Sequence, residues 1–135
     1  MRSSALIHNE MMNIEKTITK FSSIQNQYID MLSIARKVDS SISSIGKSVR
    51  SCESNISSGG YIVHPNHIDN KLTNIIDKIN RFESNLVLIE NECNKKINYY
   101  DEEKNNLSKE IENLRYLYWE ALKKERAGKK WVLLN

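Results

Sequence analysis

The sequence has few of the residues that break helices or form turns. Among its 135 residues there are one proline and four glycines, and aromatic residues make up 7%. A β-sandwich or barrel needs a turn about every 8–12 residues, so this scarcity argues against an all-β fold. No run of about 18 apolar residues occurs, which excludes a membrane-spanning helix. No basic segment followed by an apolar one opens the chain, so we expect no cleaved signal peptide.

Sequence motifs typical of catalysis, nucleic-acid binding or metal binding are also absent or weak. A net charge of +3, from 20 basic and 17 acidic residues, is too small to indicate a nucleic-acid-binding protein. No glycine-rich phosphate loop or nucleophile elbow is present. His64 and His67 flank a proline turn without the further ligands that a zinc site needs. We therefore predict a protein that is not an enzyme, with no catalytic residue, metal or cofactor.

Apolar residues recur in steps of four and three along two long segments, which is the pattern of a coiled coil. The first apolar seam comprises Ile7, Met11, Ile14, Ile18, Phe21, Ile24, Tyr28, Met31, Ala35, Val38, Ile42, Ile45, Val49, Cys52 and Ile56. The second apolar seam comprises Ile68, Leu72, Ile75, Ile79, Phe82, Leu86, Ile89, Cys93, Ile97, Tyr100, Lys104, Leu107, Ile111, Leu114, Tyr118 and Ala121. Such seams predict two helices that pack against each other.

The seams and the segment between them predict an all-α fold, a long antiparallel two-helix hairpin that resembles a coiled coil. We expect one domain over residues 1–135, because two long helices joined by a short segment fold back on each other. Its expected parts are a helix over about 4–56, a turn over 57–66, a second helix over about 67–126 and a basic and apolar tail over 127–135.

Each seam contains one phase slip. The step from Phe21 to Ile24 is a second consecutive three, and the step from Cys93 to Ile97 is a second consecutive four. Antiparallel pairing about the turn brings both slips into one zone. Either they match each other geometrically or they mark a bend or a zone of partner contact.

Both cysteines, Cys52 and Cys93, lie on the seams, where we expect small hydrophobic side chains. In the hairpin they are roughly 30 Å apart at about 1.5 Å per residue, too far for a disulfide.

Apolar residues outside the seams widen the apolar surface of both helices. A helix that is apolar on more than one face needs more than one neighbour, and exposed apolar patches mark interaction sites. The predicted partner is a different helical protein or a second copy of the chain. The predicted partner-binding residues are Tyr116, Leu117, Trp119, Leu122, Leu86, Val87, Leu88, Ile29 and Leu32.

The architecture resembles a known family of small secreted proteins. A two-helix hairpin with a glycine-containing turn, here Ser58-Gly59-Gly60-Tyr61, is similar to the Trp-x-Gly proteins of type VII secretion. The longer form rich in Ser and Asn resembles the accessory proteins that partner Leu-x-Gly toxins. The Trp-x-Gly turn itself is missing. Tyr116 and Glu120 match the Tyr-x-x-x-Asp/Glu export pattern, as do Tyr99 and Glu103.

The resemblance implies a non-enzymatic adaptor or chaperone. Such a protein would bind the helical N-terminal stalk of a larger effector and deliver it to a membrane secretion machine. The alternative is a structural subunit of a phage or other assembly that forms homo-oligomers through the same apolar surfaces. The expected location is the cytoplasm, with export without a cleaved signal peptide left open.

Overall fold

The protein is an all-α helical hairpin, as the two seams predict. A computed structural model describes residues 2–58 and 66–134, and side chains are described over 2–56 and 70–129. The described chain consists of helix α1, Ser4–Ser58, and helix α2, Asn66–Leu134, without a strand. The two helices pack against each other. Residues 59–65, which hold most of the predicted turn, lie outside the described residues, as does Asn135.

Helix α2 is longer than the sequence predicts. The expected end near Arg126 is wrong, because the helix continues through Gly128 to Leu134. Apart from its chain neighbours and the backbone of its own helix, no described residue lies within 4 Å of the position that a Cβ at Gly128 would take. A single exposed glycine costs a helix only about 0.5–1 kcal/mol relative to alanine, which does not end it.

The N-terminus of α1 is satisfied by side chains from both helices. The Leu6 amide donates to the Ser3 hydroxyl at 3.3 Å, as in an N-cap. The Ser4 amide and hydroxyl donate to the two carboxylate oxygens of Glu125 on α2, at 2.9 and 2.7 Å. A carboxylate that accepts these bonds also lies where the positive end of the α1 dipole stabilises negative charge.

The contacts divide the chain into two compact units. The first unit is Met1–Gln27 with Lys96–Asn135, and the second unit is Tyr28–Lys95. In the first unit a buried cluster of Ile7, Leu114 and Ala121 joins the two helices. In the second unit Arg50 on α1 donates to the Asn80 side chain on α2 at 2.6 Å. Each unit therefore contains a paired segment of α1 and α2.

A polar layer lies inside the first unit. Gln25 is 5% exposed, and its side-chain amide nitrogen donates to the Ile97 carbonyl at 2.9 Å and to the Asp101 carboxylate at 2.6 Å. The Lys104 ammonium donates to the Gln25 side-chain oxygen at 2.5 Å. A buried amide that finds partners in only one alignment fixes the register of the two helices.

Candidate interaction surfaces

The buried residues of each helix follow one uninterrupted progression of four and three, which we call the core frame. On α1 the core frame is Ser4, Ile7, Met11, Ile14, Ile18, Phe21, Gln25, Tyr28, Leu32, Ala35, Asp39, Ile42, Gly46, Val49, Glu53 and Ile56. On α2 it is Leu72, Ile76, Ile79, Glu83, Leu86, Glu90, Cys93, Ile97, Tyr100, Lys104, Leu107, Ile111, Leu114, Tyr118, Ala121 and Glu125. Every member is buried or half-buried, so the predicted phase slips are wrong.

The predicted slips arose because the sequence pattern assigned an apolar residue to the seam where its polar neighbour is the residue that is buried. The core frame continues from Phe21 to Gln25, whereas the sequence pattern stepped to the apolar Ile24. In the second unit it includes Leu32 and Gly46, whereas the pattern chose Met31 and Ile45, which are exposed. Cys52 lies outside the core frame and is exposed, whereas Cys93 is 1% exposed within it. The expectation that both thiols are core residues holds only for Cys93.

The core frame of the second unit contains small and acidic residues where a coiled coil normally has apolar ones. A Cβ added at Gly46 would lie 3.4 Å from a carboxylate oxygen of Glu83, so these two positions face each other across the hairpin. Seven residues earlier on α1 and seven residues later on α2, the same register places Asp39 opposite Glu90. Glu53 and Glu90 each have one buried carboxylate oxygen without a hydrogen-bond partner. An unsatisfied buried polar atom costs free energy, which weakens this part of the hairpin.

Large apolar side chains lie beside this acidic segment and are exposed. Each directly precedes a core-frame residue, and we call the set the apolar flank. It consists of Met31, Val38, Ile45 and Cys52 on α1, and Ile75, Phe82 and Ile89 on α2. The five largest of these side chains are between 43% and 51% exposed, and Val38 is half-buried.

The apolar flank lies on one side of the second unit. Arg50 and Asn80 each directly follow a core-frame residue in the sequence. Because their side chains are hydrogen-bonded to each other, the positions that follow core-frame residues on the two helices lie on the same side of the hairpin. The preceding positions of both helices therefore meet on the opposite side. The equivalent positions of the first unit include Glu10, Thr17 and Glu103, so the flank is continuously apolar only in the second unit.

A second exposed surface lies on α2 in the first unit. Tyr116 is 67% exposed and Trp119 is 52% exposed. With the half-buried Leu122 they follow one another at three-residue steps along one side of the helix, and we call these three residues the aromatic patch. The Trp119 ring packs edge-on against Tyr118, with 5.4 Å between ring centroids, and Tyr118 in turn contacts His8 on α1 at 6.0 Å.

The charges around the aromatic patch are mostly positive. Arg115 and Lys123 lie one helical turn before and after Trp119, and Arg126 lies one turn beyond Leu122. All three are exposed. Two acidic residues also border the patch: Glu112, one turn before Tyr116, and Glu120, which pairs with Lys123 at 3.7 Å.

The remaining predicted partner-binding residues are divided between the core and the surface. Leu32 and Leu86 are 7% and 6% exposed and belong to the core frame, so their expected place on an exposed patch is wrong. Ile29, Val87 and Leu88 are exposed. Leu117 is also exposed but lies on the other side of α2 from Trp119. Sequence reasoning missed the apolar flank because it assigned those residues to the seams.

The described residues include no group of three or more His, Cys, Asp or Glu side chains that could hold a metal ion. His64 lies outside the described residues, and the side chain of His67 is not among those described. Over the part of the chain that the structure describes, neither helix has an apolar stretch long enough to cross a membrane. No protein-family model, curated protein or solved structure matches this chain.

Proposed function

We propose that this protein is a non-enzymatic helical adaptor that binds a helical protein partner through the aromatic patch. The observation that carries the proposal is the exposure of Tyr116 and Trp119 beside each other on α2. Trp and Tyr are the residues that most often dominate the energy of protein interfaces, because they bury a large area at low entropic cost. Their exposure leaves that binding energy available to a partner.

The charge around the patch indicates the chemistry of the partner. Arg115, Lys123 and Arg126 border the aromatic patch and outnumber the acidic residues beside it, so acidic side chains at the edge of the partner would meet mainly opposite charge. An amphipathic helix lays an apolar stripe against such a surface and presents charged residues on either side of the stripe. The expected partner segment is a helix with an apolar stripe bordered by Asp and Glu.

The more specific form of the proposal is an accessory protein of type VII secretion. It rests on the resemblance of the hairpin architecture to the partners of Leu-x-Gly effectors. In that form the partner helix belongs to the N-terminal stalk of an effector, and the adaptor accompanies it to the secretion machine. A gene for an effector with a helical N-terminus beside the gene of this protein would support this form.

The test is site-specific photo-crosslinking in cells that make the protein. A photoreactive phenylalanine analogue replaces Tyr116 in one strain and the exposed Leu88 in a control strain. We expect one partner to be captured from the Tyr116 position and not from the control, and to contain an acidic amphipathic helix.

The captured partner is then titrated with purified variants. Trp119→Ala should weaken binding by about 30-fold, which corresponds to about 2 kcal/mol. Val87→Ala, also on an exposed apolar residue of α2, should leave the Kd within about two-fold. Circular dichroism confirms that both variants fold. An unchanged Kd for folded Trp119→Ala, or equal capture from both positions, would overturn the proposal.

A further inference from the structure

We infer that a second copy of this chain packs on the apolar flank of the second unit. The two copies run antiparallel and form a four-helix bundle centred on the level of Ile45 and Phe82. This surface is distinct from the aromatic patch, so the inference does not depend on the proposed function. Three observations support a second copy of the chain as the molecule that covers the flank: the spacing of the flank residues, the charges beside them and the area of the flank.

The spacing of the apolar flank makes it complementary to itself. Val38 and Cys52 lie seven residues before and after Ile45 on α1. Ile75 and Ile89 lie seven residues before and after Phe82 on α2. A two-fold axis at the centre therefore places Val38 of one copy opposite Cys52 of the other. It likewise places Ile75 opposite Ile89. Ile45 and Phe82 meet their own counterparts, so each of these six apolar side chains meets an apolar side chain in a self-complementary interface.

The charges beside the flank favour the antiparallel arrangement. On the outer side of the α2 flank the exposed residues run from Lys71 and Lys78 to Asn85 and then Glu92. Antiparallel pairing places Lys71 of one copy beside Glu92 of the other, so opposite charges meet at both ends of the contact between the two α2 helices. The corresponding positions of α1 include Ser41 and Ser48, which are small and uncharged and permit close approach.

The area is that of a small dimer interface. The matched part of the flank, from Val38 to Cys52 on α1, extends for about 22 Å at about 1.5 Å per residue, and two adjacent helices are about 20 Å wide. Face-to-face packing over that area would bury about 900 Å² in total, which is close to the roughly 1,000 Å² expected of a specific interface. The contact would also add apolar burial where the acidic core frame leaves the hairpin weak.

The first test is a disulfide that forms only in the inferred register. Val38→Cys introduces a thiol that would face the native Cys52 of the second copy. Within one chain these positions are 14 residues apart on α1, or about 21 Å, far beyond disulfide range. Under a glutathione redox buffer we expect a covalent dimer on a non-reducing gel. Val38→Cys combined with Cys52→Ser should remain monomeric on that gel, as should Leu88→Cys, whose thiol lies outside the flank.

The second test is sedimentation equilibrium of the full chain. We expect the wild-type protein to be a dimer and Phe82→Glu to raise the dimer dissociation constant at least 30-fold. The matched control, Leu88→Glu, places the same charge on an exposed leucine outside the flank and should leave the dimer unchanged. Trp119→Ala should also leave it unchanged, which separates this inference from the proposed function.

A folded wild-type protein that stays monomeric would overturn the inference. So would a dimer that resists Phe82→Glu while Val38→Cys forms no disulfide. Circular dichroism identifies any variant that fails to fold. If Phe82→Glu fails to fold, the disulfide test decides, because Val38→Cys is a conservative substitution.

Discussion

Single residues at the helix interface determine how the two helices align. Glu125 and Ser4 join α2 to the start of α1, and Gln25 joins α1 to three groups of α2. These contacts come from polar residues, which a search for apolar periodicity passes over. Gln25 could not be assigned to the core from sequence, because a lone glutamine is more often exposed than buried.

The Glu125 contact makes a prediction about pH. Hydrogen bonds from the Ser4 side chain and amide lower the pKa of Glu125 below its ordinary value of 4.5, and nearby Lys129 acts in the same direction. A lowered pKa in the folded state contributes stability above the unfolded pKa, which is lost as the pH falls through the folded pKa. Glu125→Gln should therefore lower the Tm at neutral pH, by a difference that shrinks as the pH falls below 4.5.

Thermal melts of the wild type and Glu125→Gln over that pH range measure this difference. Glu112→Gln, on an exposed glutamate of the same helix, is the control and should show a smaller difference at neutral pH. A Glu125→Gln difference that stays constant down to acidic pH would contradict the assigned contact.

At the level of the helices, the sequence predicted α1 closely and α2 less well. The start of α1 at Ser4 agrees with the expected range and its end at Ser58 lies close to the expected Ile56, because the cap and the change in pattern are both local signals. The end of α2 was predicted too early because Gly128 resembles a helix stop. The apolar flank was missed because it and the core frame form two adjacent apolar stripes on each helix. Periodicity alone does not tell which of the two stripes faces the other helix.

Gly128 and Gly46 give a matched pair of tests for the helices. Gly128→Ala adds a methyl group in open space within a helix, so it should stabilise the end of α2 by about 0.5–1 kcal/mol. A Cβ at Gly46 would lie 3.1 Å from the Arg50 guanidinium and 3.3 Å from a methyl group of Ile79. Gly46→Ala should therefore stabilise less or destabilise.

Amide hydrogen exchange around each site measures the two effects. Slower exchange near residue 128 in Gly128→Ala, with no such gain near residue 46 in Gly46→Ala, is expected. Equal gains at both sites would show that Gly46 is not at the helix interface.

The acidic core frame predicts a substitution that stabilises the hairpin. Glu90 has a buried carboxylate oxygen without a partner and lies opposite Asp39 in the register set by Gly46 and Glu83. Glu90→Leu removes that unsatisfied oxygen and adds apolar contact, so the free energy of unfolding should rise by on the order of 1 kcal/mol.

Urea unfolding followed by circular dichroism measures the change. Asn91→Leu, on the exposed residue next along α2, is the control and should stay within about 0.5 kcal/mol of the wild type. If Glu90→Leu destabilised the protein, Glu90 would have to lie outside the helix interface.

For the molecule as a whole, the sequence predicted the helical hairpin but only one of its two exposed apolar surfaces. Two long apolar patterns with one cluster of breakers between them leave few alternatives to a helical pair, and the structure confirms that fold. The exposed aromatic residues Tyr116 and Trp119 were also expected, because too many apolar residues follow one another there for one neighbour to cover. Which face of each helix pairs depended on polar residues, whose burial only the three-dimensional structure reveals.

The most direct test of this account is the environment of the Gln25 side-chain amide, observed by NMR in the unmodified protein. If α1 and α2 pair antiparallel in the core frame, the amide protons of Gln25 will show nuclear Overhauser contacts to Ile97, Asp101 and Lys104 and will exchange slowly with solvent. A rapidly exchanging Gln25 amide without contacts to α2, with Ile24 in contact instead, would contradict the core frame and the surfaces derived from it.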